Sequence, residues 1–156
     1  MGSEMCIRDS PNIFRYIIRR TEDFDVIVGS DSNPMYINVD EATKVHAKEN
    51  RVLNIGKKLT TFTHVDIGLF LFRKRVLQEY ENYCKENRVI ELSDLVRLSI
   101  TKGHFVFIAD VCGMPWIDID TLEDIEKAET QAKDFIESIK QELLVVLNRF
   151  SQQLGY

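Results

Sequence analysis

Val65-Asp66-Ile67-Gly68-Leu69-Phe70-Leu71-Phe72, running straight into Arg73 to Cys84, is the stretch on which the fold turns. The first part is the most apolar run of the chain and reads as a strand. In the second, Val76, Leu77, Tyr80 and Tyr83 fall on one helical stripe. A strand that feeds a helix is the unit of an α/β fold, and the chain repeats it on both sides. Upstream, Ile13, Phe14, Ile17 and Ile18 recur at helical spacing before Asp25-Val26-Ile27-Val28-Gly29, an apolar run ended by glycine that suits a buried strand. Between these stretches, Ser30-Asp31-Ser32-Asn33-Pro34 is a turn cluster. Ala42 to Ala47 and Arg51 to Gly56, separated by Lys48-Glu49-Asn50, then read as a β-hairpin.

Downstream, a short helix from about Ser93 to Thr101 stops near Gly103, Phe105 to Ala109 starts another strand, and Trp116 to Asp120 makes a last short one. Thr121-Leu122-Glu123-Asp124 places a hydroxyl at the N-cap and a carboxylate three residues on, so a long helix begins there. Ile125, Ala128, Ala132, Phe135, Ile136, Ile139, Leu143, Val146, Leu147 and Phe150 keep its period and give it a face that packs on a sheet or a partner. The predicted class is α/β: a mixed sheet, an antiparallel hairpin insertion and a long C-terminal helix. Residues 1–10 show no periodicity and read as a leader foreign to the fold, residues 11–150 as the domain and 151–156 as a tail.

Composition narrows the function. Lys+Arg 20 against Asp+Glu 25 gives a net charge of −5, which argues against a phosphate-backbone binder, so nucleic acid is not an expected partner. No apolar run approaches the roughly 20 residues of a membrane span. Cys6, Cys84 and Cys112 are odd in number and far apart, so neither a disulfide framework nor a zinc cage is indicated, and a reducing cytoplasm fits. The seven glycines lie too far apart for GxGxxG or GxxxxGK[ST], and His46, His64 and His104 are isolated, with no HExxH or GxSxG.

The strongest local constellation is Trp116-Ile117-Asp118-Ile119-Asp120-Thr121. In a strand Asp118 and Asp120 share one face, while Ile117 and Ile119 point into the core. Two carboxylates in one small volume raise each other's pKa, and a divalent cation that takes hard oxygen ligands, such as Mg²⁺, relieves them. The strand ends at a helix N-terminus, which favours anions such as phosphate. The plainer alternative is that Asp120 belongs to a turn, Asp118 is solvated and Asp124 caps the helix.

The run from Gly113 to Glu129 resembles the "W-x-D-[IV]-D-T-x-E-D" signature of the sugar-phosphate and alcohol-phosphate nucleotidyltransferases. Asn38 to Val45, Arg51 to Lys58 and Asp66 to Phe72 look, in that order, like the central sugar-binding sheet of the inositol-1-phosphate cytidylyltransferase branch. The resemblance covers roughly Asp25 to Glu129 and implies a partial nucleotidyltransferase (Rossmann-like) fold. It makes Asp118 a Mg²⁺ ligand with Asp120 as helper, and Lys57, or Lys58 in the next register, the lysine that holds the acceptor phosphate. Lys44, after Thr43, matches a second active-site lysine, and Asp66 and Gly68 stand where polyol hydroxyls are contacted. Each has a bland alternative: exposed hairpin lysines are common, Gly68 relieves a crowded strand, Asp66 caps a strand end, and Trp116 is core.

The family's glycine-rich nucleotide loop and its P-K motif have no match here. The resemblance therefore implies the acceptor-binding half of an enzyme that transfers CMP, or another NMP, from CTP or another NTP to a phosphorylated polyol or sugar, with Mg²⁺ and with pyrophosphate as product. Little turnover is expected of this chain alone. Two other readings are a fragment that binds a polyol phosphate or Mg²⁺ without chemistry, and a module whose helix leads to a further domain such as a CDP-alcohol phosphotransferase.

Overall fold

The computed structural model describes residues 23–35, 37–86, 90–114, 116–118, 122, 124–126, 128, 129, 136, 137 and 140. The chain divides between Trp116 and Ile117 into two compact units. The unit that ends at Trp116 carries five strands: β1 (Val26–Asp31), β2 (Lys44–Lys48), β3 (Arg51–Gly56), β4 (His64–Phe72) and β5 (Val106–Asp110). Its helices are α1 (Lys74–Glu79), α2 (Glu81–Glu86) and α3 (Leu92–Thr101). The sheet is mixed and closes on itself in the order β1-β4-β2-β3-β5. β1 and β5 are parallel, and the β1–β4, β2–β3, β2–β4 and β3–β5 pairs are antiparallel.

β1 is buried along its whole length because both of its faces are covered. Its alternation sends Val26 and Val28 into one apolar cluster with Val45, Ile55, Val76, Tyr80, Val96 and Ile108. Ile27 goes to the other, with Val65, Ile67, Ala109, Val111 and Trp116. The strand was expected to stop at Gly29. It continues through Ser30 and Asp31 because β5 supplies ladder partners for both Gly29 and Ser30.

The hairpin is present, with its first strand at Lys44–Lys48 rather than Ala42–Ala47, and Glu49 and Asn50 at positive φ (50° and 68°) form the tight turn between β2 and β3. Gly68, at φ 78°, lies in a bulge where the β1–β4 register jumps from Val28↔Phe70 to Ser30↔Asp66. A side chain is strained at that φ, which explains the glycine.

Three further sequence expectations need correction. The single helix over Arg73–Cys84 is two, α1 and α2, interrupted at Tyr80. Tyr80 is drawn into the core, where its hydroxyl donates to Ser99 Oγ at 3.2 Å, while Leu77 and Tyr83 of the expected stripe are exposed. The strand over Trp116–Asp120 is not formed in its described part, since Trp116, Ile117 and Asp118 lie outside any strand. After β5 the chain turns at Cys112 and Gly113, whose φ values of 47° and 77° take it off the ladder. The third is a boundary: β5 runs from Val106 to Asp110, one residue later than expected at each end.

The helix ending at Thr101 stands as expected, with Gly103 at φ 81° and the pair of bonds His104 N–H to Ser99 O and Gly103 N–H to Ile100 O, both 3.0 Å, closing its end. In the other unit, Leu122, Asp124 to Glu126, Ala128, Glu129, Ile136, Glu137 and Lys140 are helical, and Ile125 and Ile136 are exposed. The expected helix at Ile13–Ile18, the expected N-cap Thr121, and Ile119, Asp120 and Glu123 lie outside the described residues, while Asp124, the expected carboxylate of the cap, is helical.

Candidate functional site

Parallel strands put their carboxyl ends on one side of a sheet, and crevices there are where α/β folds hold ligands. Here β1 and β5 end side by side at Asp31 and Asp110. β4 runs the other way, so its beginning, with His64 and Asp66, lies at the same end, paired Asp31↔Val65 and Ser30↔Asp66. The start of β2 joins it, with Lys44↔Val65 in register and the Asp66 N–H donating to Thr43 O at 2.8 Å. Lys44 also pairs with Gly56, which brings the end of β3 and the following Lys57 to this side. Topology alone therefore collects Thr43, Lys44, Lys57 and Asp66 at one end of the sheet, with Gly68 two residues along β4.

The two strand-end aspartates are held differently. Asp31 is fully buried: its Oδ1 accepts the N–H groups of Asn33 (2.9 Å) and Gly113 (2.7 Å), and its Oδ2 accepts the Trp116 indole N–H at 2.7 Å. It thereby ties the end of β1 to the loop that follows β5. A Cβ on Gly113 would stand 3.2 Å from the Asn33 carbonyl oxygen, a tight contact, and the φ of 77° strains any side chain there. Asp110 is half-buried, and accepts Ser32 N–H (3.0 Å) and Cys112 N–H (2.9 Å) on Oδ1 and the Ser32 hydroxyl (2.8 Å) on Oδ2. Burial pushes the Asp110 carboxyl up, but the Ser32 hydroxyl, the two amides and His64 outweigh it and hold the group below its ordinary value. His64 Nε2 stands 3.7 Å from Asp110 Oδ2, with Nδ1 2.7 Å from Thr63 Oγ1.

Of the expected site residues, Asp66 Oδ1 accepts the Gly68 N–H at 2.7 Å, which closes the bulge. Lys44 is buried, and its ammonium donates to the carbonyls of Asp40 (3.0 Å), Ala42 (3.2 Å) and Lys57 (3.2 Å). The Lys57 side chain is exposed. Asp118 belongs to the other unit, and Asp120 lies outside the described residues. Among the described residues no group of three or more His, Cys, Asp or Glu is placed to hold a metal ion.

Sequence reasoning passed over Asp31, Asp110 and His64. Asp31 was hidden in a turn-forming cluster, and only the place of Asp110 at the end of an apolar run signalled it. Trp116, read as core in the plainer alternative, is buried with its indole on Asp31.

No family model matches the chain. Among curated relatives, the bifunctional IPC transferase and DIPP synthase of Rubrobacter xylanophilus is 32% identical over 120 residues, 77% of this chain and 27% of that protein. The protein of the same description in Aquifex aeolicus is 36% identical over 95 residues, 61% of this chain and 21% of the relative. Among solved structures, the inositol-1-phosphate CTP transferase of T. maritima matches with a TM-score of 0.68 at 23% identity, over 76% of this chain and 47% of that one. The chain is thus similar in sequence to the IPC transferase and DIPP synthases and shares its fold with the inositol-1-phosphate CTP transferase. A Bacillus anthracis structure described as a glucose-1-phosphate thymidylyltransferase shares the fold as well, with a TM-score of 0.61 at 18% identity, over 82% of this chain and 52% of that one. The chain spans about a quarter of the length of the curated relatives it matches.

Proposed function

We propose that this chain is the acceptor-binding part of a nucleotidyltransferase that moves CMP from CTP to a phosphorylated polyol, with inositol 1-phosphate as the favoured acceptor. The observation that carries this reading is the end of the sheet where Thr43, Lys44, Lys57 and Asp66 meet, in a chain similar to IPC transferases along most of its length. An acceptor phosphate oxygen attacks the α-phosphorus of CTP, the bond to the β-phosphate oxygen breaks, and pyrophosphate leaves. A phosphate monoester is already ionised near neutral pH, so no general base is required.

The exposed ammonium of Lys57 neutralises the acceptor phosphate, and Asp66 and the backbone at Gly68 face the polyol hydroxyls. Asp118 and Asp120 offer hard carboxylate oxygens, a donor set that suits Mg²⁺. An ion bound to these carboxylates would supply charge neutralisation. Cys84 and Cys112 are exposed free thiols, suited to a reducing compartment, and the cytoplasm is the location we propose. Among the described residues no helix is long and apolar enough to cross a membrane.

The test is titration of the purified chain with inositol 1-phosphate by calorimetry, with inositol as control. Binding of the phosphorylated compound alone, weakened about tenfold or more by Lys57→Gln, is the expected result. Equal binding of both compounds, or none, refutes the reading. Pyrophosphate release from CTP, measured alongside, separates acceptor binding with turnover from binding without it.

A further inference from the structure

Resemblance makes Lys44 an active-site lysine, but its geometry describes a different job. A buried ammonium must have its N–H groups satisfied, because leaving a charge short of partners in a low-dielectric site is costly. Lys44 has three donors, and three backbone carbonyls receive them: Asp40 and Ala42 from the loop before β2, and Lys57 from the turn after β3. The Phe62 ring lies on a further side, with the ammonium 5.9 Å from its centroid. The Lys57 turn is otherwise closed by a long bond, Leu59 N–H to Gly56 O at 3.4 Å. A stronger tie to the Lys57 carbonyl therefore decides where that residue's backbone sits, and with it where its exposed side chain begins.

We propose that Lys44 is a positioning residue, whose ammonium pins the Lys57 carbonyl and the loop at Asp40–Ala42 together so that the Lys57 side chain meets the acceptor phosphate. The proposal rests on the reading of Lys57 as the acceptor-phosphate lysine. It removes one of two lysines from direct contact with substrate and leaves that contact to Lys57.

Two measurements on the full chain test it, with inositol 1-phosphate as the probe. In the first, the side-chain ammonium signals of the unmodified protein are followed by NMR during titration. The Lys57 signal moves and the Lys44 signal, held on its three carbonyls, does not. In the second, Lys44→Met, which keeps the length of the stem and removes the donors, is combined with Lys57→Gln in a double-mutant cycle. Lys44→Met weakens binding about tenfold when Lys57 is present and less than about twofold when it is absent. A Lys44 signal displaced as far as that of Lys57, or the same loss in both backgrounds, overturns the proposal. Where Lys44→Met does not fold, the NMR result on the unmodified chain decides alone. Failure of the unmodified chain to bind the probe removes the acceptor reading and the proposal together, whereas binding with additive losses removes the proposal only.

Discussion

Replacing Asp31 by Asn tests the joint between β1 and the loop after β5. The amide has the shape of the carboxylate, so Oδ1 can go on accepting the N–H groups of Asn33 and Gly113. The NH₂ then takes the place of Oδ2, 2.7 Å from the Trp116 indole nitrogen, and a donor faces a donor. Turning the amide over is worse, because the NH₂ then meets two backbone donors. The lost bond is a buried, charge-assisted one, worth about 1.5–3 kcal/mol. Removal of a buried charge offsets part of this, and the expected loss of stability is about 2 kcal/mol. Urea unfolding followed by circular dichroism measures it, and the fluorescence of Trp116, the single tryptophan, reports the joint directly. In a Trp116→Phe background the indole donor is gone, and Asp31→Asn should then cost no more than about 0.5 kcal/mol. A cost under about 0.5 kcal/mol in the unmodified background, or an equal cost in both, refutes the argument.

Asp25 governs acid stability. Burial raises its carboxyl, but the Phe105 N–H, Arg75 and His104 outweigh this and leave it below its ordinary value of 3.8. A folded-state value below the unfolded one stabilises the fold above the unfolded pKa, and this contribution is lost as pH falls through the folded one. Urea midpoints taken from neutral pH downward should therefore show Asp25→Asn less stable than the unmodified chain at pH 7, with the gap closing below roughly pH 4. Gly68→Ala should destabilise by about 1–2 kcal/mol, because its φ of 78° strains any L side chain; a loss below half of that in a thermal melt would show that the bulge relaxes. Gly113→Ala adds contact with Asn33 to the same strain and should cost at least as much by the same measurement. In a version that also carries a nucleotide-binding half, Asp118→Ala with Asp120→Ala should lower Mg²⁺-dependent pyrophosphate release by at least about 100-fold, and unchanged release would take both residues out of the metal site.

Periodicity and turn chemistry made much of this protein legible from its residues. Local pattern placed β1, the hairpin, β4, α3 and β5 to within a few residues, because each is decided by neighbours in sequence: alternation, a two-residue turn, or a glycine after the last helical turn. The W-x-D-[IV]-D-T run and the blocks at Asn38–Val45, Arg51–Lys58 and Asp66–Phe72 pointed to the nucleotidyltransferases. What local pattern could not decide was anything set by a partner far along the chain. β1 passes Gly29 because β5 lies beside it, and the helix after β4 breaks at Tyr80 because Ser99 and the core claim that side chain. Trp116–Asp118 lies outside any strand although its alternation suits one, because a strand needs a neighbour to bond to and the turn at Cys112–Gly113 ends the pairing after β5. The role of Lys44 was hidden for the same reason. Spacing shows a lysine at the start of a strand, but only the closing of the sheet brings the Lys57 carbonyl to its ammonium, since two groups thirteen residues apart meet through folding and not through local geometry.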